Sequence, residues 1–174
     1  LIRIAGGLFP AAAAQYAWVL ASLATVSILY GAIVTVRQTD LKRLIAFSSI
    51  SHMGYVLLGI SSIVGVGGVV SSVGLTGAAL QMFTHGTITG LLFLLVGLIY
   101  EKANTRHIPD LGGLANKMPL VTVGLLIGGL ASLGLPGLSG FPAEITVFLG
   151  TFQVWSWLTA ISYLLYTSPS PRDR

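Results

Sequence analysis

Apolar residues in this chain come in runs that are too long for the core of a soluble domain. Residues 1–13 read as the end of one element and a loop, because Gly6, Gly7 and Pro10 interrupt them. From about Ala14 to Val36 only Gln15, Ser22, Thr25, Ser27 and Thr35 break an apolar stretch, which Arg37 closes. A second stretch runs from about Leu41 to Val64 and stops at Gly65-Val66-Gly67-Gly68, and a third runs from about Ser71 to Tyr100. Each is long enough to cross a hydrocarbon core about 30 Å thick as a helix. Residues 103–118 form the longest polar loop, with a short surface helix expected around Asp110–Ala115. A fourth apolar stretch opens at Pro119, a good first-turn residue.

That fourth stretch does not read as one straight helix. Pro136-Gly137-Leu138-Ser139-Gly140-Phe141-Pro142 interrupts it, and apolar residues then resume to about Trp157 or beyond. A span needs only about 20 residues, so the pattern predicts a helix broken inside the membrane. Such breaks are tolerated where they line a polar cavity. The expected fold is therefore all-α, a polytopic transmembrane helix bundle of four to five segments with one broken helix. It forms a single partial membrane domain over residues 1–162. From residue 163 the chain reads as a non-native tail that ends in Ser168-Pro169-Ser170-Pro171-Arg172-Asp173-Arg174, and the abrupt start at Leu1 reads as a truncation.

Composition narrows the picture further. Only 8% of the 174 residues are charged against 54% hydrophobic, with a mean hydropathy of +0.88, so the chain cannot cover a soluble surface. The absence of cysteine excludes thiolate metal sites, iron–sulfur clusters and disulfides. The net charge of +4 is no nucleic-acid signal, because the cations sit between spans. Arg37, Lys42, Arg43, Lys102, Arg106 and Lys117 share one side, which the positive-inside rule assigns to the cytoplasm or matrix. Phosphate loops, nucleophile elbows and zinc signatures are missing, and no metal ligand set is expected.

Three ionisable residues fall deep within these spans, where such groups are costly and point to function. His52 lies about 13–14 Å beyond Arg43 along a helix. It admits two readings: a histidine bonding a neighbouring helix, or a proton relay titrating near neutrality. His85 lies about 21 Å along a helix from Ser71. Gln81 sits one turn before it and Thr89 one turn after, either as packing contacts or as a wet groove. Glu144 follows the Pro/Gly break directly. It either caps the half-helix that follows, or serves as a proton site on which burial and the helix dipole act in opposite senses. Ser48, Ser51 and Thr84 are polar companions of these groups. Lys42 and Arg43 read as interfacial anchors, with Thr39 or Asp40 able to cap the helix and Asp40 able to pair with either cation. Arg106, His107 and Lys117 read as solvated loop charges.

The run Gln38-Thr39-Asp40-Leu41-Lys42-Arg43-Leu44-Ile45-Ala46-Phe47-Ser48-Ser49-Ile50-Ser51-His52-Met53-Gly54 closely resembles a signature of the antiporter-like membrane subunits of respiratory complex I. So do Gln81-Met82-Phe83-Thr84-His85-Gly86, and Leu133-Gly134-Leu135-Pro136-Gly137 with Gly140-Phe141 and Glu144. Within that family Glu144 points to the subunit 4, or chain M, type; subunits 2 and 5 and the sodium/proton antiporters are expected to carry Lys there. The resemblance implies a fold of fourteen helices in two inverted five-helix repeats, of which this chain would supply the end of helix 8 to helix 12 and the start of helix 13. It implies that His52 and His85 belong to a central hydrophilic axis and that Glu144 is the terminal proton-exit residue. It further implies proton translocation in the membrane arm of NADH:quinone oxidoreductase, a translocase to which this chain contributes without being catalytic alone. NADH and quinone would then be used by the whole complex, with no cofactor bound by this chain. Its partners would be other membrane subunits and the lipid bilayer, in a bacterial plasma membrane rather than a mitochondrial inner membrane. Pro142-Ala143 stands where the family has Val-Gly, and the family's central Lys would lie upstream of Leu1. A multisubunit sodium/proton antiporter, the membrane arm of a hydrogenase, and a non-pumping scaffold are the alternatives.

Overall fold

A computed structural model describes residues 7–62 and 71–167, with side chains to Leu164. Within these residues every regular element is helical. Helix α1 (Pro10–Val36) starts at Pro10 rather than Ala14. A proline at the first helical position followed by four alanines favours that earlier start. Helix α2 (Leu41–Ser61) is capped by Asp40, whose Oδ1 accepts the N–H groups of Lys42 at 2.9 Å and Arg43 at 3.0 Å. The cap settles the choice between Thr39 and Asp40. The Gly65–Gly68 turn lies outside the described residues. Helix α3 (Ser72–Ala103) is capped by the Ser71 hydroxyl at its start and ends on Asn104 in the left-handed region. It runs a little past the expected Tyr100.

The polar loop after α3 folds back onto the α1–α2 connection. The Leu41 N–H donates to the Arg106 carbonyl (3.0 Å), and the Ile108 N–H donates to the Thr39 carbonyl (2.8 Å). The Arg106 guanidinium stacks over Tyr100 at 4.6 Å. The loop cations therefore gather at the same end of the bundle as Arg37, Lys42 and Arg43, and Arg106 is a strap rather than a purely solvated charge. A 3₁₀ turn (Ile108–Asp110) and the one-turn helix α4 (Leu114–Lys117) replace the single surface helix expected at Asp110–Ala115. Gly113, at φ +70°, separates the two.

Helix α5 (Pro119–Ser132) is followed by a break and then by α6 (Gly140–Phe152). At about 1.5 Å per residue each covers only about 20 Å, short of a full crossing. Among the described residues α1, α2 and α3 are long and apolar enough to cross a membrane. Large apolar side chains such as Leu94, Leu120 and Trp157 stand fully outward, as expected of a multi-pass membrane protein whose periphery meets lipid. The second half of the broken stretch stops earlier than expected. The Thr151 carbonyl accepts from the N–H groups of both Val154 and Trp155, a turn intervenes, and α7 (Ser156–Thr167) follows. The domain edge expected at residue 162 falls within α7, where Ser162 is buried and Tyr163 packs edge-on against Phe148. Residues 168–174 lie outside the described residues.

Helix α2 packs between α1 and α3, α3 also packs on α5, and α6 packs on α3 while touching α2 as well. Small residues permit the close crossings: Gly74, Gly77 and Ala78 of α3 are buried, with Gly150 and Val147 of α6 against this stretch. One apolar cluster joins Ala21, Ala24 and Ile28 to Tyr55, Leu58, Val147 and Phe148. A second joins Ile45 to Ile88, Leu92, Val96 and Ala131. The polar cluster described next lies among the helices that these two clusters hold together.

Candidate functional site

Each of the three deep ionisable residues reaches the site from a different helix. His52 lies about 16 Å along α2, and His85 about 20 Å along α3. Glu144 sits at the start of the second turn of α6, close behind the break. The break itself spans Leu133–Ser139 and contains Pro136 and Gly137. Gly137 adopts φ +99°, a conformation that residues with a Cβ rarely take. Gly140 and Pro142 fall instead within the first turn of α6. A proline is tolerated there because first-turn N–H groups have no helical acceptor. A Cβ at position 140 would collide with the Ala131 carbonyl, so the missing side chain lets α6 start hard against the end of α5. That contact delivers Glu144 to the interior.

The result is a compact buried cluster. His52 Nδ1 stands 3.3 Å from Glu144 Oε1, with the two side chains 12% and 3% exposed. The Gln81 side-chain amide nitrogen stands 3.3 Å from the same His52 Nδ1. The His52 and His85 rings lie 5.0 Å apart, tilted by 35°. Glu144 therefore does not cap α6. One of its oxygens faces His52, and the other, Oε2, is buried without a hydrogen-bond partner, as is Gln81 Oε1. A cavity of about 10 Å³ lies among His52, Gln81, Thr84, His85, Ser132 and Glu144. That is close to the room one water molecule needs. A larger groove of about 590 Å³ runs beside it, with Thr35, Leu41, Ser48 and Ser51 in its wall, and reaches His52 and Ser132.

The remaining polar residues are distributed unevenly. Thr84 borders the small cavity and donates to the Gln81 backbone carbonyl (3.3 Å). The Ser51 hydroxyl crosses to the Ile28 carbonyl of α1 (3.2 Å), and the Ser48 hydroxyl turns back to Ile45 (2.8 Å). Both serines line the groove rather than the cluster. Asp40, Lys42 and Arg43 stay at the charged end, about 15 Å along α2 from His52. There the Arg43 N–H bond holds the Asp40 carboxyl below the usual carboxylate range; the Lys42 N–H and the Arg106 charge act in the same sense, and desolvation opposes them. Two residues were missed in the sequence. Tyr55, three residues after His52 on the same helical face, meets its ring edge-on at 6.0 Å. Ser132, just before the break, borders both cavities. The spacing signalled the first, while nothing in the local pattern signalled the second.

Long apolar helices, a break between two short apolar ones and a buried His–His–Glu cluster define a polytopic membrane protein. Residues 1–168 match the family described as NADH:quinone oxidoreductase/Mrp antiporter, TM, and the chain belongs to that family. It is 51% identical over 134 residues to the F(420)H(2) dehydrogenase subunit M of Methanosarcina mazei, covering 77% of this chain and 26% of that protein. It is 49% identical over 157 residues to an NAD(P)H-quinone oxidoreductase chain 4 of Synechococcus elongatus, covering 90% and 28%. Among solved structures it superposes on a chain of respiratory complex I from Thermus thermophilus with a TM-score of 0.86 at 39% identity, covering 94% of this chain and 34% of that one. The chain thus spans between a quarter and a third of the length of these relatives.

Proposed function

We propose that this chain carries protons across a membrane as part of an antiporter-like subunit of a quinone-reducing respiratory complex, most like the subunit 4 (chain M) type. The observation that supports this most directly is the buried contact of 3.3 Å between His52 Nδ1 and Glu144 Oε1. An imidazole beside a carboxylate in a buried site can hold one proton between them and release it stepwise. His85, 5.0 Å from His52 between ring centres, is the donor on the inner side. In this reading a proton reaches His52 from His85 or from the groove, passes to Glu144, and leaves past the break toward the outer face. Each transfer moves one proton and no electrons. NADH oxidation and quinone reduction belong to other subunits, and this chain binds no cofactor of its own. By its cation distribution the charged end faces the cytoplasm or matrix.

The test is Glu144→Gln in the complete complex, measured in sealed vesicles. Gln keeps the shape and hydrogen-bonding capacity but cannot carry the proton. The expected result is a loss of proton pumping with assembly and quinone reduction retained in uncoupled membranes. Normal pumping would remove the exit role. Parallel loss of assembly and pumping would favour a scaffold.

A further inference from the structure

His52 Nδ1 faces two groups whose demands conflict. Gln81 Nε2, 3.3 Å away, can only donate, while ionised Glu144 Oε1, also 3.3 Å away, can only accept. A ring nitrogen carries either a lone pair or a proton. When Nδ1 is bare it accepts from the Gln81 amide N–H, and Glu144 is the protonated member of the pair. When Nδ1 carries the proton it donates to the Glu144 carboxylate, and the Gln81 NH₂ group then points at another donor. Half a turn about the last side-chain torsion of Gln81 removes that clash by bringing Oε1 to Nδ1–H. This torsion is broad and roughly two-fold in preference.

The surroundings fit such a turn. Gln81 is 2% exposed, so its amide cannot find bulk water as an alternative partner. Its Oε1 and the Oε2 of Glu144 are both buried without a partner. They border the same cavity of about 10 Å³, next to His85 and Ser132. With Nδ1 bare, one water there would donate to Gln81 Oε1 and accept from the protonated Oε2 of Glu144, which leaves the single Nδ1 lone pair to the Gln81 amide. After the turn, the same water would accept from Gln81 Nε2–H and donate to Glu144.

We propose that Gln81 is a positioning residue whose side-chain amide turns over in step with the proton shared by His52 and Glu144, with a single water in the adjoining cavity serving its other end. The inference rests on the proton-path reading of the same cluster. The amide presents a donor to bare Nδ1 and an acceptor to Nδ1–H, so in neither protonation state does it face His52 with a group of the same kind. The turn transfers nothing itself.

The test uses the complete complex in vesicles, with glutamine labelled at its side-chain amide carbon and followed by difference infrared spectroscopy during turnover. The Gln81 band is identified by its loss in Gln81→Met, or in Gln81→Asn if the Met variant does not assemble. The expected result is an amide carbonyl band that changes together with the Glu144 carboxyl band in the unaltered complex and stays still in Glu144→Gln. Proton pumping in the Gln81 variant should fall by at least about tenfold, the scale of a hydrogen bond to a charged group. An amide band that never moves, or full pumping in the Gln81 variant, overturns the proposal. If Glu144→Gln abolishes pumping while the Gln81 variant pumps normally, only the role of Gln81 fails. If Glu144→Gln pumps normally, the proton path fails with it.

Discussion

Gly77→Ala should damage the site without touching any residue in it. Gly77 lies on the face of α3 that crosses α6 most closely, four residues before Gln81 and eight before His85. A Cβ there would stand 2.5 Å from the Val147 backbone nitrogen, 2.8 Å from the Thr146 carbonyl carbon and 2.9 Å from the Val147 Cα. All three are backbone atoms, so no rotamer change relieves the overlap. Ordinary contact needs about 3.5 Å, so the two helices must part by about 1 Å. Glu144 lies one turn before Val147 on α6, and its 3.3 Å contact with His52 would stretch beyond hydrogen-bond range. Overpacking of this kind costs about 1–3 kcal/mol of stability. A misplacement of about 1 Å at a reacting group costs on the order of 10²-fold in rate. The assay is thermal unfolding of the purified complex together with the initial rate of proton pumping in vesicles. Gly86→Ala is the control: it lies on an outward face of the same helix with nothing within 4 Å of an added Cβ. It should pump normally and should stabilise α3 slightly. Wild-type pumping in Gly77→Ala would refute the link between helix separation and proton transfer.

Two further outcomes concern the frame of the site. Asp40→Ala removes the cap of α2 and should cost about 1 kcal/mol by thermal unfolding at neutral pH. Because the folded state holds this carboxyl below its unfolded value, the contribution is fully present above the unfolded pKa and is lost as pH falls through the folded one; the difference between wild type and Asp40→Ala should shrink on acidification. Gly137→Val places a β-branched residue at φ +99° and should cost about 1–3 kcal/mol, read as a lower unfolding temperature and slower pumping.

Much of this arrangement is legible along the chain because the bilayer imposes it. A hydrocarbon core tolerates little besides uninterrupted helices, so runs of apolar residues translate almost directly into α1, α2 and α3. The same constraint makes Pro136 and Gly137 conspicuous, and makes His52, His85 and Glu144 stand out by depth alone. Which atoms meet is a different matter. The pairing of His52 with Glu144 depends on how α2, α3 and α6 cross, and that is set by Gly77, Gly140 and the small residues around them, whose contacts have no periodic signature. The stop at Phe152 was hidden because Gln153-Val154-Trp155 contains neither proline nor glycine. The role of Arg106 was hidden because its partner, Leu41, is distant in sequence.

The two cavities meet in a way that bears on direction. Within the described residues, His52 is the one titratable side chain that borders both the groove on the charged side and the small chamber holding Glu144. Ser132 borders both as well, but a hydroxyl neither stores a proton nor carries charge. Moving one charge against 100 mV costs about 2.3 kcal/mol, so a continuous water file through the cluster would be incompatible with the proposed pumping. A chamber sized for one water beside an apolar-walled groove does not offer such a file. In the proposed path, with Nδ1 turned toward Glu144, a proton arriving from the groove would enter the ring at Nε2, and one leaving for Glu144 would depart from Nδ1. The imidazole would thereby separate entry from exit on two atoms of one ring. Each such transfer would leave the ring protonated at Nε2 and bare at Nδ1, so the ring must turn over or exchange that proton before the next one enters; in the interval Gln81 donates to the bare Nδ1.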